Sequence, residues 1–165
     1  MSCSQAGSVL LPPAVLRRIR EIAEAAWPEE ACGLLEGLAT EDPVRPGARG
    51  AVSAWPPAGR LRLIRALVCA NTHPAPRSHY EIDPETFLRA DHAASARGRS
   101  IVGVWRSHPH GDARASRTDR ETAWPGWSYL IAGVTNGVMT DLQSWRLGPE
   151  GFVRQTLQLD ERRPE

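Results

Sequence analysis

Apolar residues recur at helical spacing through "PPAVLRRIREIAEAAW", where Val15, Leu16, Ile19, Ile22, Ala23 and Ala26 share one face. Pro12 and Pro13 open this helix, and Pro28 ends it. The pattern then shortens to "ACGLLEGLA", an apolar run that reads as a buried strand. "RLRLIRALVCAN" alternates and then becomes wholly apolar, so it is a second strand. Pro84 opens a second helix, "PETFLRADHAASARG", which Gly98 closes. "SIVGVW" and "SYLIAGV" are short apolar runs rich in β-branched residues and read as central strands. "VMTDLQSWRLG" and "GFVRQTLQL" alternate on either side of Gly-Pro-Glu-Gly and predict a hairpin.

Between these elements lie the segments without period. Residues 1–10 read as a loose end or short strand, and Pro- and Gly-rich residues 40–60 as loop with at most one short strand. "THPAPRSHYEID" is loop, "SRTDRETAW" is one or two helical turns with Ser116 as N-cap, and "DERRPE" is a solvated tail. Strands flanked by two helices predict an α/β fold, a mixed β-sheet with helices packed on it. One domain is expected over residues 10–159, with 1–9 and 160–165 as loose termini.

Composition narrows the functional classes. The chain has 165 residues and a net charge of +1, with no run of like charge, so no nucleic-acid partner is expected. Every basic residue is Arg, a usage that fits a GC-rich bacterial genome. No leader and no membrane-length apolar run is visible, so a cytoplasmic protein without a membrane partner is expected. The three cysteines, Cys3, Cys32 and Cys69, form no C-x-x-C and read as reduced thiols. Cys32 and Cys69 fall in apolar strands, as inert buried thiols do.

Three clusters could carry chemistry. In "WPEEACGLLEG", Glu29 reads as a solvated helix end, whereas Glu30 adjoins the buried strand and could serve as a general base tuned by burial. In "SHPHGDARASRTD", a strand ends in His and a helix begins Ser-x-x-Asp, which brings His108, Ser116 and Asp119 together. Ser116 and Asp119 are also a capping box in their own right, and His108 and His110 could simply be exposed loop residues. In "NTHPAPRSHYEIDP", Asn71, His73 and His79 line a cleft or merely shape a loop.

Taken together, Pro28-Glu29-Glu30-Ala31-Cys32-Gly33, then Arg106-Ser107-His108-Pro109, then Ser116 and Asp119, resemble the JAMM/MPN zinc metalloproteases, and most closely their prokaryotic JAB-domain branch. The flanks "LVCAN", "YEIDP", "IVGVW" and "AWPGWSYLIAGV" extend the resemblance over residues 10–159. It implies cytidine-deaminase-like layering and a zinc held by two His, one Asp and a water. It also implies hydrolysis of a peptide or isopeptide bond at the C-terminal Gly-Gly of a ubiquitin-like or sulfur-carrier protein. Carried over, Glu30 is the base, His108 and Asp119 are ligands, and Ser116 steadies the tetrahedral intermediate.

The departure is Arg106, which stands where the first ligand His belongs. Arg stays protonated and has no lone pair to offer a metal. His110 could swing in as a substitute ligand, or the register could shift by two to His108, His110, Thr118 and Glu121. The expected function is therefore zinc-dependent hydrolysis impaired by Arg106, with a non-catalytic binding module for the same C-terminal tail as the alternative. A homodimer is compatible with either. A zinc deaminase would need a C-x-x-C that is absent.

Overall fold

A computed structural model describes residues 7–39 and 59–162. The expected loop over 40–60 falls, but for its last two residues, outside them. The elements are β1 (Ser8–Leu11), α1 (Pro13–Ala26), β2 (Cys32–Ala39), β3 (Arg60–Cys69), α2 (Pro84–Ser95), β4 (Ser100–His108), α3 (Arg117–Thr122), β5 (Ser128–Thr135), β6 (Val138–Gly148) and β7 (Gly151–Leu159).

The expected α/β sheet flanked by helices is corrected by the topology. The strands close into a barrel in the order β1-β3-β2-β4-β5-β6-β7, and strand rather than helix dominates the chain. Closure is the work of β1, whose Val9 pairs in parallel with Leu61 on one side and Leu157 on the other. Residues 8 and 9 thus belong to a ladder, within the stretch read as a loose end or a short strand. β1 is short and meets β3 only at Arg60–Arg62, so among the described residues β3 pairs from Leu63 to Cys69 on its β2 side alone.

Two apolar clusters explain the unbroken hydrophobic runs. Leu35, Val102, Trp105 and Leu130 pack with Val15, Ile19 and Ala23 of α1. Their chain neighbours Leu34, Ile101, Val104 and Tyr129 pack on the opposite face with Ala94 of α2. Strands covered on both faces lose the alternation that marks a half-solvated strand. β2 and β3 approach very closely: a methyl at Gly33 would sit 1.7 Å from the Leu67 carbonyl oxygen and 2.4 Å from Trp105 Nε1. No helix among the described residues is long and apolar enough to cross a membrane.

Candidate active site

The start of β2, the end of β4 and α3 meet at one place. Cys32 and Arg106 are register partners, and the two strands are laced further by Ala31 N–H donating to Ser107 Oγ at 2.8 Å and Ser107 N–H donating to Ala31 O at 2.9 Å. Glu30, just ahead of β2, is therefore carried to Arg106. Its own backbone is fixed by the loop after β3: Glu30 N–H donates to Pro76 O at 2.7 Å, and Asn71 Nδ2 donates to Glu30 O at 3.2 Å. Arg106 and His108 are two apart on β4 and share a face.

The third side is a capping box. Ser116 caps α3 by accepting from Asp119 N–H at 3.2 Å, and Asp119 Oδ2 accepts from Ser116 N–H at 2.6 Å. Ser116 Oγ–H also donates to that oxygen at 2.6 Å. The capping geometry turns the Asp119 carboxylate back from the helix into the site, where it is only 4% exposed.

Arg106 occupies the middle. Its Nη2 donates to Asp119 Oδ2 at 2.7 Å and its Nη1 to Glu30 Oε2 at 3.4 Å, and its Cζ lies over the Tyr80 ring, 5.1 Å from the ring centre. Nη2 also contacts His108 Nε2. Since a guanidinium only donates, His108 Nε2 must be the acceptor, and Nδ1 carries the proton toward Asp112 O. Burial and the Arg106 charge both hold the His108 pKa below its ordinary value, which favours that neutral form. Burial pushes the Glu30 carboxyl up to about 7; the Arg106 charge opposes this and the Asp119 charge adds to it. Arg106 Nε is buried without a hydrogen-bond partner among the described residues.

Glu30, Arg106, His108, Ser116 and Asp119 are thus brought together. His110, Thr118 and Glu121 are exposed, and Glu121 is engaged with Arg117 at 3.0 Å. Asn71 is an organiser of its loop: it bonds Glu30 O, His79 O, His73 N–H and Glu81 N–H. His73 and His79 stack with centroids 4.7 Å apart. Cys32 and Cys69 are buried, and burial pushes the Cys32 thiol up to about 12, far from a reactive thiolate. Tyr80, Ser107 and Asp112 belong to the site but are not expected there from the sequence; no local sequence signal distinguishes a loop Tyr whose ring lies under a guanidinium.

The donor set does not fit zinc. Around Arg106 stand one imidazole, His108, and two carboxylates, Asp119 and Glu30, and the position between them is filled by a cation that is covalently part of the chain. Among the described residues no group of three or more His, Cys, Asp and Glu side chains could hold a metal ion.

The structure defines a closed mixed barrel in which a buried carboxylate, a helix-capping Ser-Asp pair and a strand-borne His gather around a guanidinium. The chain belongs to the family of prokaryotic homologs of the JAB domain, which it matches over residues 12–148. It is 35% identical over 127 residues to a protein of Haloferax volcanii named desampylase, covering 76% of this chain and 77% of that one. It is also 35% identical over 95 residues to a Thermus thermophilus protein named "Probable TtuB-protein conjugate cleaving protease", covering 58% of this chain and 62% of that one. Among solved structures, one from Desulfitobacterium hafniense is similar with a TM-score of 0.72 and 26% identity, over 93% of this chain and 94% of that one. Another, from Salinibacter ruber, has a TM-score of 0.63 and 30% identity, over 93% and 92%.

Proposed function

We propose that this chain recognises the C-terminal tail of a ubiquitin-like or sulfur-carrier protein, free or conjugated, at a JAB-type site that Arg106 holds in a metal-poor form. The observation that carries this reading is the buried Arg106 guanidinium bridging Asp119 at 2.7 Å and Glu30 at 3.4 Å. Two similar proteins, one named a desampylase and the other a conjugate-cleaving protease, supply the kind of partner. An extended tail adds most readily to a strand edge, where backbone groups give affinity and small residues avoid clashes. Among the described residues β3 pairs from Leu63 to Cys69 on one side only, and this stretch, the edge assigned to the tail, ends where Cys69 faces Cys32, two residues from Glu30.

A second reading is zinc-dependent hydrolysis of the amide bond at the C-terminal Gly-Gly of such a protein. It is favoured by the convergence of Glu30, His108, Ser116 and Asp119, and by a Glu30 carboxyl poised near 7, suited to taking up a proton at neutral pH. It requires Arg106 to leave the position it holds here.

The test is capture of a bacterial ubiquitin-like sulfur carrier by this chain, with the carrier intact and with its last few residues removed. Binding that depends on the tail, with the conjugate left uncut, supports recognition without cleavage. Equal capture of both forms would remove the tail as the recognised element. Cleavage of a Gly-Gly-linked conjugate by the native chain would select the second reading.

A further inference from the structure

Glu36, six residues along the chain from Glu30, is wholly buried in β2 at a point where the register slips against both neighbouring strands, β3 and β4. Such slips re-aim a side chain out of the regular pleat. The Glu36 carboxylate meets three guanidiniums: Arg97 Nη2 at 3.0 Å, Arg99 Nη1 at 3.1 Å and Arg65 Nη1 at 3.9 Å. Arg65 lies directly opposite on β3. Arg97 and Arg99 flank Gly98, whose φ of +67° turns the chain at the end of α2 so that both reach the same carboxylate.

A single guanidinium neutralises a single carboxylate. Here one negative charge holds three positive ones, and among the described residues Arg65, Arg97 and Arg99 form no ion pair with any other acid. Among the described residues two of these positive charges have no acidic partner of their own. The three side chains are 51%, 42% and 30% exposed, so the N–H groups not turned toward Glu36 are open to solvent. Each guanidinium has five donors in a planar fork, the geometry that matches tetrahedral oxyanions. The repulsion among three cations tethered to one carboxylate is relieved when a multiply charged anion sits over them.

We propose that Arg65, Arg97 and Arg99, gathered on Glu36, form a binding site for a phosphate-type oxyanion, the phosphoryl group of a small molecule. The site is built from β2, β3 and the turn after α2, and stands apart from the Arg106 site and from the function proposed there. Glu36 is its positioning residue: it fixes the three cations without itself touching the anion.

The experiment is titration of the full chain with inorganic phosphate at constant ionic strength, by calorimetry and thermal shift, against a chloride control. Saturable binding is expected, weakened at least about tenfold by Arg97→Ala and by Arg65→Ala and partly recovered by Arg97→Lys, which keeps the charge but not the fork. Arg17→Ala, which removes the same charge from the exposed side of α1, should leave it unchanged. Should Arg97→Ala fail to fold, Arg97→Lys and Arg65→Ala carry the comparison. Adenosine monophosphate and pyrophosphate separate the sources: tighter binding of the first assigns a nucleotide, of the second a polyphosphate chain. No saturation above chloride, or an equal loss in Arg17→Ala, overturns the proposal and leaves an internal ion cluster only.

Discussion

Arg106 Nη2 lies 2.7 Å from Asp119 Oδ2, and both side chains are almost wholly buried, at 7% and 2% exposure. A cation that belongs to the chain thus stands beside the carboxylate that relatives of this type are expected to offer a metal. The pairing follows from chemistry visible in the sequence: a protonated Arg two residues before a strand-end His has to find an acid, and the capped α3 presents one. Substituting Arg106→His should therefore convert the site. The variant is expected to take up near-stoichiometric zinc and to gain roughly 5–10 °C in melting temperature at saturating zinc, reversed by a chelator. The native chain should carry little metal and show no such gain. Its cleavage of a Gly-Gly-linked substrate should lie at least about 10²-fold below that of the variant. Stoichiometric zinc in the native chain would mean that Arg106 leaves the site and that another side chain, His110 first among them, completes the ligand set.

Ser116 supports the same pair from the other side. It caps α3 and donates to Asp119 Oδ2 through both its backbone N–H and its hydroxyl, each at 2.6 Å. Ser116→Ala keeps the backbone bond and loses the hydroxyl. The expected cost is about 1 kcal/mol, read as a fall of about 2–4 °C in melting temperature. Ser116→Thr should recover most of it. A Ser116→Ala chain as stable as the native one would show that the backbone N–H of residue 116 and Arg106 hold Asp119 without the hydroxyl.

The helices and most strands were legible because their signals are local. α1 shows a clean 3.6-residue period and prolines at both ends, and Pro84 and Gly98 bracket α2 and its closing turn. Barrel closure was not legible. It depends on the four residues of β1 finding Arg60 on one side and Thr156 on the other, and no pattern within Ser8–Leu11 names partners so far along the chain. The site divides in the same way. Ser-x-x-Asp announces its own cap, and the spacing from His108 brings that cap to the strand end. Tyr80 reaches Arg106 only because Asn71 folds its loop back onto Glu30, a tertiary event with no sequence period.

Gly33 tests the packing that aligns β2 with β4. Trp105 Nε1 donates to Leu67 O at 2.8 Å across the face of Gly33, and an added methyl would overlap both atoms. Neither can yield easily, since one is backbone and the other belongs to a fully buried indole. Gly33→Ala is expected to cost about 3 kcal/mol or more in urea unfolding, the upper range for overpacking. Gly98→Ala has open space around the new methyl and should cost only about 1 kcal/mol, for its left-handed backbone. Equal losses in the two variants would show that the β2–β3 approach is looser than described.

Glu30 gives a pH dependence whose sign can be worked out. Its carboxyl titrates at an ordinary 4.5 in the unfolded chain and at about 7 in the folded one, chiefly because it is buried. Below pH 4.5 the group is protonated in both states and contributes no slope. Between 4.5 and 7 the unfolded chain releases the proton while the folded chain keeps it, so stability falls as pH rises. Above 7 both are ionised, and the loss levels off at roughly 3 kcal/mol, 1.36 kcal/mol for each unit of displacement. His108 acts in the opposite direction: its folded pKa is lowered, so its contribution is lost as pH falls below 6.5. The difference in unfolding free energy between the native chain and Glu30→Gln isolates the first effect, because His108 is common to both. That difference should move in favour of Glu30→Gln by about 3 kcal/mol from pH 4.5 to 8, with its midpoint between the two pKa values. A difference that stays flat over this range would mean that Glu30 is already ionised in the folded protein, held so by Arg106 at 3.4 Å, and that the guanidinium pairs with two carboxylates rather than one.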